Sequence, residues 1–154
     1  NLKLKNLTIS APDMGGSKRA NAYSRHLQSE MVLCYKLRKK PNVIEEMSII
    51  GEVEGRNVVI IDDMVDTAGT LALAADMMKE RGATSIRAFA THPILSGNAV
   101  ERINNSAIEE LVVSDSVPFT NNSKKIKVLS IADILAKTIQ AVNTNQSIST
   151  NFVF

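Results

Sequence analysis

The most constraining feature of this sequence is the segment Val58 to Thr70, VVIIDDMVDTAGT, in which an apolar run gives way to acidic, small and hydroxylic residues. The run Val58 to Ile61 is too short for a helix and has no polar alternation, so it predicts a central strand buried on both faces. From near Thr70, apolar residues recur at helical spacing as far as Gly82, a typical residue after a helix. A second apolar run, Ile86 to Ala90, then completes a βαβ unit.

The same alternation of short apolar runs and helical stretches predicts one α/β domain with a mostly parallel sheet. Further strands are predicted at Leu7 to Ser10, Met31 to Cys34, Met47 to Ile50, Leu111 to Ser114 and Val128 to Ser130, and further helices at Lys18 to Gln28 and Ile131 to Val142. The last helix has an apolar face made of Ile131, Ile134, Leu135, Ile139 and Val142. Tyr35 to Asn42 holds four basic residues and a proline without an apolar period, so it is predicted to be a mobile loop.

Charge and composition exclude several classes of partner. Lys and Arg number 18 against 16 Asp and Glu, and a net charge of +2 gives no electrostatic reason to expect nucleic acid or a membrane. No stretch approaches the roughly 18 apolar residues of a membrane span, and no signal-peptide pattern is present. The single cysteine, Cys34, cannot form an intramolecular disulfide, which favours a cytoplasmic protein.

The residues after the strand Val58 to Ile61 point to a sugar phosphate. A phosphate over the helix start would accept backbone N–H bonds from the turn Thr67 to Thr70, and Gly69 would let the backbone approach it closely. The carboxylates of Asp62 and Asp63 repel phosphate, so their expected partners are sugar hydroxyls or a divalent cation. The alternative is that these acidic residues only form a turn or a helix cap, as they commonly do after strands.

This segment also resembles the phosphoribosyl pyrophosphate binding motif of type I phosphoribosyltransferases and ribose-phosphate pyrophosphokinases. Three other segments are similar to the pyrophosphokinase family in particular: Ala11 to Ala20 (APDMGGSKRA, with Ala11 in place of the usual serine), Thr91 to Gly97 (THPILSG) and Ala99 to Ser106 (AVERINNS). The similarity extends over essentially the whole chain. It implies a three-layer α/β fold of the type I phosphoribosyltransferase class.

The resemblance also implies roles for individual residues. It makes Asp13 a magnesium ligand, Lys36 and Arg38 the catalytic pair, and Arg38 a contact of the sugar phosphate as well. The residues expected to bind ribose 5-phosphate, with Asp63 added for its place beside Asp62, are Asp62, Asp63, Asp66, Thr67, Ala68, Gly69 and Thr70. Ser147 and Ser149 resemble a C-terminal segment near an allosteric nucleotide or phosphate site.

The implied reaction is transfer of diphosphate from ATP to the C1 hydroxyl of ribose 5-phosphate, with Mg²⁺, in a homo-oligomer. Two mobile cations suit this chemistry, because charge builds on the phosphoryl oxygens. Family members have two such domains, with much of the ATP site on the first domain and on a neighbouring subunit. Residues 1–154 are therefore expected to be one C-terminal domain that binds ribose 5-phosphate weakly and has no appreciable synthetase activity.

Alternatives to this function stay open. A phosphoribosyltransferase would share the motif but consume the product, and a non-catalytic regulatory partner would keep the fold, although both Lys36 and Arg38 are retained. The basic run itself has a simpler interpretation as a solvated surface loop, and it departs from the family pattern at Tyr35 and Leu37. His92 is predicted to be a hydrogen-bonded structural residue rather than an acid or base.

Overall fold

A computed structural model of the chain describes residues 4–37, 46–120 and 122–149. Within these ranges the structure contains a seven-stranded sheet and four α-helices, which confirms the predicted α/β class. The strands are β1 (Leu7–Ala11), β2 (Glu30–Leu37), β3 (Glu46–Ile50), β4 (Asn57–Val65), β5 (Ser85–Pro93), β6 (Glu110–Ser114) and β7 (Ile126–Leu129). The helices are α1 (Ser17–Leu27), α2 (Gly69–Glu80), α3 (Ala99–Asn105) and α4 (Ala132–Asn143), and a short 3₁₀ helix spans Met14–Gly16.

The sheet has the strand order β3-β2-β1-β4-β5-β6-β7, and the only antiparallel pair among these strands is β2 with β3. The prediction of a mostly parallel sheet is thereby confirmed. β4 is central, with Ile60 paired to Ser10 of β1 and to Ala88 of β5. Because parallel strands end at one edge, the segments that follow β1, β4 and β5 come together there.

The two faces of the sheet are covered unequally. On the face packed by α2, a large core contains the fully buried side chains of Ile60, Met78 and Ile86. The other face has a smaller core around Ile9 and Ile61. An apolar groove of about 640 Å³ runs along that second face, and its lining includes Tyr23, Leu27, Phe89 and Leu129.

The predicted helix near the C-terminus is confirmed as α4, but its apolar face is exposed. Ile134, Leu135, Ile139 and Val142 are between 50% and 68% accessible, and none of the α4 side chains, all within the described residues, is buried. None of the helices in the described ranges has both the length and the apolar character of a membrane span.

Two local predictions differ from the structure. β2 extends to Leu37, so the predicted loop is wrong for Tyr35, Lys36 and Leu37, while 38–42 lie outside the described residues. The reason is the antiparallel pairing with β3, which continues as far as Leu37 opposite Glu46 and supplies backbone partners that local sequence does not reveal. Helix α3 has no counterpart among the predicted elements, because its seven residues are too few for a clear apolar period.

Candidate active site

The acidic pair of the motif lies toward the carboxyl end of β4. Asp62 pairs in register with Ala90 of β5, and the strand continues beyond the pair to Val65 rather than ending before it. The Asp62 side chain is 24% exposed and that of Asp63 is 55% exposed. Both carboxylates are therefore open to solvent at the edge where ligands bind in parallel α/β sheets.

Arg19 of α1 bridges the two carboxylates. Its Nη1 lies 3.3 Å from Asp62 Oδ1 and its Nη2 lies 3.0 Å from Asp63 Oδ2. Asp62 Oδ1 also accepts a hydrogen bond from the backbone N–H of Asp63 at 2.9 Å, and Asp63 Oδ1 accepts one from Met64 N–H at 3.0 Å. Asp62 Oδ2 takes part in none of these contacts.

The two carboxylates titrate differently because their surroundings differ. The pKa of Asp62 is raised to about 6, mainly by burial and also by the neighbouring Asp63 carboxyl, although the backbone N–H of Asp63 and the charge of Arg19 act to lower it. Burial by itself would raise the pKa of Asp63, but the side-chain hydrogen bond with Asp62 and the charge of Arg19 outweigh it, so that this pKa is lowered. Asp63 is therefore the more acidic carboxyl group of the pair, and Asp62 is the one that takes up a proton first as the pH falls.

The segment after β4 leads directly into α2. Ala68 adopts the left-handed conformation, with φ of 59°, which is uncommon for a residue with a Cβ. α2 then begins at Gly69, one residue before the predicted start. The methyl group of Ala68 cannot cap the helix, so the first N–H groups of α2 have no acceptor from the residue that usually supplies one. Thr67 is exposed and Thr70 is half-buried beside these N–H groups.

Residues that follow β5 hold this segment in place. Ser96 N–H donates to the carbonyl of Asp66 at 3.1 Å, and the Ser96 hydroxyl donates to the Asp66 carboxylate. From α3, Arg102 Nη1 donates to the carbonyl of Thr67 at 2.9 Å. The segment Asp66 to Thr70, here named the anion loop, is therefore fixed by bonds to its backbone as well as to one side chain.

The glycine in the anion loop is not required by its protein neighbours. A Cβ at Gly69 would lie 3.7 Å from Arg102 Nη1 and 3.8 Å from Thr67 Oγ1, which are ordinary contact distances. At Gly16, by contrast, a Cβ would lie only 3.0 Å from Ala11 Cβ, so packing explains that glycine. Packing therefore gives no reason for the absence of a side chain at Gly69.

Asp13, predicted as a magnesium ligand, follows β1 at the same edge and is exposed. Its Oδ1 accepts a hydrogen bond from Gly16 N–H at 3.2 Å. Within the described ranges, no cluster of three or more His, Cys, Asp or Glu residues has the geometry of a metal site. A single exposed carboxylate nevertheless fits Mg²⁺, which keeps several waters and commonly uses one or two carboxylates together with substrate phosphates.

The remaining predicted residues lie in different parts of the chain. The backbone of Lys36 belongs to β2 and pairs with Met47, whereas Arg38 lies outside the described residues. Ser147 and Ser149 are exposed beyond α4, where their hydroxyls lie 2.9 Å apart and Ser147 Oγ accepts from Ser149 N–H at 3.2 Å. The two serines bond to each other, and no hydrogen bond among the described residues joins them to the anion loop.

Comparison with known proteins identifies the family. The model of the phosphoribosyl synthetase-associated domain family matches residues 13–153 of this chain. The chain belongs to that family. The family assignment suggested by the motifs is thus confirmed over nearly the whole length.

Curated relatives of this family member are ribose-phosphate pyrophosphokinases. The chain is 46% identical over 154 residues to the one from Porphyromonas gingivalis, an alignment that covers 100% of this chain and 49% of the relative. It is 49% identical over 149 residues to that of Burkholderia pseudomallei, covering 95% of this chain and 47% of the relative. The chain therefore spans about half the length of the curated relatives it matches.

Solved structures agree with this assignment. The chain is similar to phosphoribosylpyrophosphate synthetase from Mycobacterium smegmatis, with a TM-score of 0.83, 31% identity, and coverage of 92% of this chain and 46% of that one. It is also similar to adenine phosphoribosyltransferase from Thermoanaerobacter pseudethanolicus, with a TM-score of 0.53, 20% identity, and coverage of 73% and 71%. The second likeness shows the fold alone, and it agrees with the predicted fold class.

Three residues of the site were not singled out from sequence, namely Arg19, Ser96 and Arg102. Each lies in one of the family segments quoted above, but neither charge nor spacing indicates its partner. Arg19 is 43 positions from Asp62 in the chain, and Arg102 is 35 positions from Thr67. His92, in contrast, is a hydrogen-bonded residue as predicted, with Nδ1 2.9 Å from Ser116 Oγ.

Proposed function

We propose that this chain is the part of a ribose-phosphate diphosphokinase that binds ribose 5-phosphate. The proposed reaction of the whole protein transfers a diphosphoryl group from ATP to the C1 hydroxyl of the sugar, giving phosphoribosyl pyrophosphate and AMP. The curated relatives support this reaction by name and by 46% identity over the full chain. Because the chain spans only about half of those relatives, the reaction is proposed for a protein that also contains the other half.

One observation carries the proposal. A strand, a loop and a helix that are continuous in sequence bring two solvent-open carboxylates and an uncapped helix start to one edge of a parallel sheet. The helix start favours an anion, because its N–H groups and the helix dipole are both directed at it. The carboxylates favour hydroxyl donors and disfavour phosphate. A sugar with hydroxyls at one end and phosphate at the other satisfies both requirements.

Each proposed ligand contact follows from this polarity. The 5-phosphate would accept hydrogen bonds from the backbone of the anion loop and from the hydroxyls of Thr67 and Thr70. Asp62, with Asp63 beside it, would accept hydrogen bonds from the sugar hydroxyls. Asp66 already accepts the Ser96 hydroxyl, so its support for the sugar phosphate would be mainly through loop geometry.

Three further groups belong to the proposal through the family resemblance. Asp13 would hold Mg²⁺, which supplies positive charge to the phosphates of ATP. Lys36 and Arg38 would stabilise charge on the transferring phosphoryl oxygens, and Arg38 would also contact the sugar phosphate. In this reaction class catalysis consists mainly of positioning and electrostatic stabilisation, a role that cationic side chains can fill.

The proposal extends to regulation, assembly and location. Ser147 and Ser149 would contribute to an allosteric nucleotide or phosphate site, and the whole protein would be a cytoplasmic homo-oligomer, as the family resemblance implies. A free, buried cysteine such as Cys34 is compatible with a reducing compartment.

Binding and activity of the isolated chain test the proposal. We expect ribose 5-phosphate to bind more tightly than either ribose or inorganic phosphate in calorimetric or NMR titrations, because it uses both ends of the site. With ATP and Mg²⁺ added, the chain alone should release no AMP at an enzymatic rate. Equal affinity for ribose 5-phosphate and inorganic phosphate would contradict the proposed sugar contacts.

Two other functions are separated by further measurements. A phosphoribosyltransferase would release diphosphate from phosphoribosyl pyrophosphate only when a nucleobase is present. A regulatory partner would differ in its response to Lys36→Ala in a full-length protein that contains this chain. A synthetase should lose turnover, by on the order of 10³-fold by analogy with arginine fingers, while it keeps sugar binding. A regulatory protein should change in neither property.

A further inference from the structure

Arg19 makes a contact that neither the fold nor the proposed reaction by itself explains. Its guanidinium group reaches from α1 to two adjacent carboxylates of β4, with Nη1 on Asp62 and Nη2 on Asp63. The Arg19 side chain is 33% exposed, and the side chains of Asp62 and Asp63 are also partly exposed. Ion pairs this accessible contribute little to stability, so stability alone is a weak reason for the arrangement.

The geometry gives the two carboxylates different tasks. Asp63 has both oxygens engaged, Oδ1 by Met64 N–H and Oδ2 by Arg19. Asp62 Oδ1 accepts two hydrogen bonds, from Asp63 N–H and from Arg19, and neither of these bonds involves Oδ2. Because a carboxylate is planar, fixing Oδ1 from two directions also fixes the direction of Oδ2. Asp62 is thus the oriented acceptor and Asp63 the anchor for the guanidinium.

The rigid shape of the guanidinium matters for this arrangement. Arginine presents its donors in a planar fork, so one group can hold two acceptors at a set separation and angle. A lysine ammonium is a single charged centre on a flexible stem and can lower the repulsion between the carboxylates without fixing their orientation. The contact is therefore suited to orientation as well as to charge balance.

We propose that Arg19 is a positioning residue of the sugar site, which fixes Asp62 through a fork shared with Asp63 so that Asp62 Oδ2 accepts a sugar hydroxyl. This role rests on the proposed function, since it assumes that the sugar hydroxyls of ribose 5-phosphate bind at Asp62. Arg19 itself touches neither the phosphate nor the reacting atoms in this arrangement.

The test compares Arg19→Gln, Arg19→Lys and the matched control Arg25→Gln, which changes an exposed arginine on the same helix. Each protein is titrated with ribose 5-phosphate and, separately, with inorganic phosphate, and its thermal unfolding is measured. We expect Arg19→Gln to weaken ribose 5-phosphate binding about tenfold or more while phosphate binding stays within about twofold, since the charged hydrogen bond at Asp62 would lose its fixed direction. Arg19→Lys should recover part of the loss, and Arg25→Gln should resemble the unchanged chain.

A second variant tests the division of tasks between the carboxylates. Asp63→Asn removes the anchor but leaves the acceptor, so it should weaken ribose 5-phosphate binding less than Asp62→Asn does. In the double variant with Arg19→Gln, Asp63→Asn should add little further loss of ribose 5-phosphate affinity, because each change alone already disrupts the guanidinium contact that the two carboxylates share.

The possible failures are distinguishable. If the unchanged chain does not prefer ribose 5-phosphate to phosphate, the proposed function is wrong and the role of Arg19 is wrong with it. If the unchanged chain shows that preference and Arg19→Gln keeps it, only the role of Arg19 is overturned. Equal loss of both ligands together with a lower melting temperature would show that Arg19 is structural, which also overturns the proposal.

Discussion

The two ends of the candidate site are built by different means. The carboxylate end depends on side chains: Asp62 and Asp63 project from β4, and a guanidinium from α1 holds them in place. The anion loop depends mainly on backbone: a left-handed residue at Ala68, an uncapped helix start at Gly69, and carbonyls of the loop that are bound by Ser96 and Arg102.

This difference predicts different sensitivities. Side-chain acceptors respond to substitution and to pH, because their charge can be removed. Backbone N–H groups remain donors when side chains are substituted, so binding to them changes only when their direction or their accessibility changes. Ribose 5-phosphate reports on both ends, whereas inorganic phosphate reports on the anion loop alone. Comparing the two ligands therefore separates the ends.

The largest effect is expected for Asp62→Asn. An amide of the same shape replaces the charged acceptor and brings two N–H donors toward the sugar hydroxyls, so ribose 5-phosphate affinity should fall by about 10- to 100-fold. Inorganic phosphate should bind as before or slightly more tightly, because a nearby negative charge is gone. The exposed Asp133→Asn in α4 is the control. Similar losses of both ligands would break the distinction between the two ends.

Gly69→Ala should act on the opposite end. Its Cβ has ordinary contact distances to Arg102 and Thr67, and alanine is the better helix former, so thermal stability should be unchanged or higher by up to about 1 kcal/mol. The methyl group would nevertheless keep a phosphate from the first N–H groups of α2. We expect both ribose 5-phosphate and phosphate to lose about tenfold in affinity. A variant that is equally stable and binds normally would contradict an anion site at this helix start.

Protonation of Asp62 should separate the ends without any mutation. With a pKa of about 6, raised above its ordinary value of 3.8 mainly by burial, Asp62 takes up a proton as the pH falls through 6 and ceases to be a pure acceptor. Between pH 7 and pH 5, ribose 5-phosphate affinity divided by inorganic phosphate affinity should fall by up to about tenfold. Because both ligands carry a phosphate group, this ratio removes most of the effect that phosphate ionisation has on affinity.

The contribution of Asp62 to folding stability changes with pH in the opposite direction to its contribution to ribose 5-phosphate binding. The raised pKa means that the folded chain holds the Asp62 proton more firmly than the unfolded chain does, so this contribution is fully present below pH 4 and is lost as the pH rises through 6. Relative to Asp62→Asn, the free energy of unfolding should fall over that range by on the order of 2 kcal/mol. A constant difference between the two proteins from pH 4 to 7 would contradict the assignment.

The smallest effect is expected for Arg102→Gln. Arg102 donates one hydrogen bond to the Thr67 carbonyl from an exposed side chain, so its loss should loosen the anion loop without removing any N–H donor. Both ligands should weaken by about two- to fivefold, which corresponds to the lower part of the range of about 0.5 to 1.5 kcal/mol for a net hydrogen bond, because this one is exposed. The exposed Glu101→Gln, next to it on α3, serves as the control. A selective loss of ribose 5-phosphate would instead connect Arg102 to the sugar end.

Much of the fold was predictable because the informative patterns are local. β4 and α2 were placed within a few residues by an apolar run and by helical spacing, and Gly82 after α2 has the positive φ of 88° expected of its position. β2 was predicted too short, since its end is stabilised by β3 rather than by its own residues. The apolar face of α4 was predicted correctly as a face, but its exposure was visible only in the structure.

By itself, the sequence predicted the strand-loop-helix unit and the order of carboxylates and helix start along it, because Asp62 and Thr70 are separated by only a few residues between an apolar run and a helical pattern. Only the tertiary structure decided how Asp62 is held and how the anion loop is fixed. Those contacts come from Arg19, Ser96 and Arg102, which are 30 or more positions away from their partners. A pairing at such separations depends on how α1 and α3 pack against the sheet, and no spacing along the chain encodes that direction.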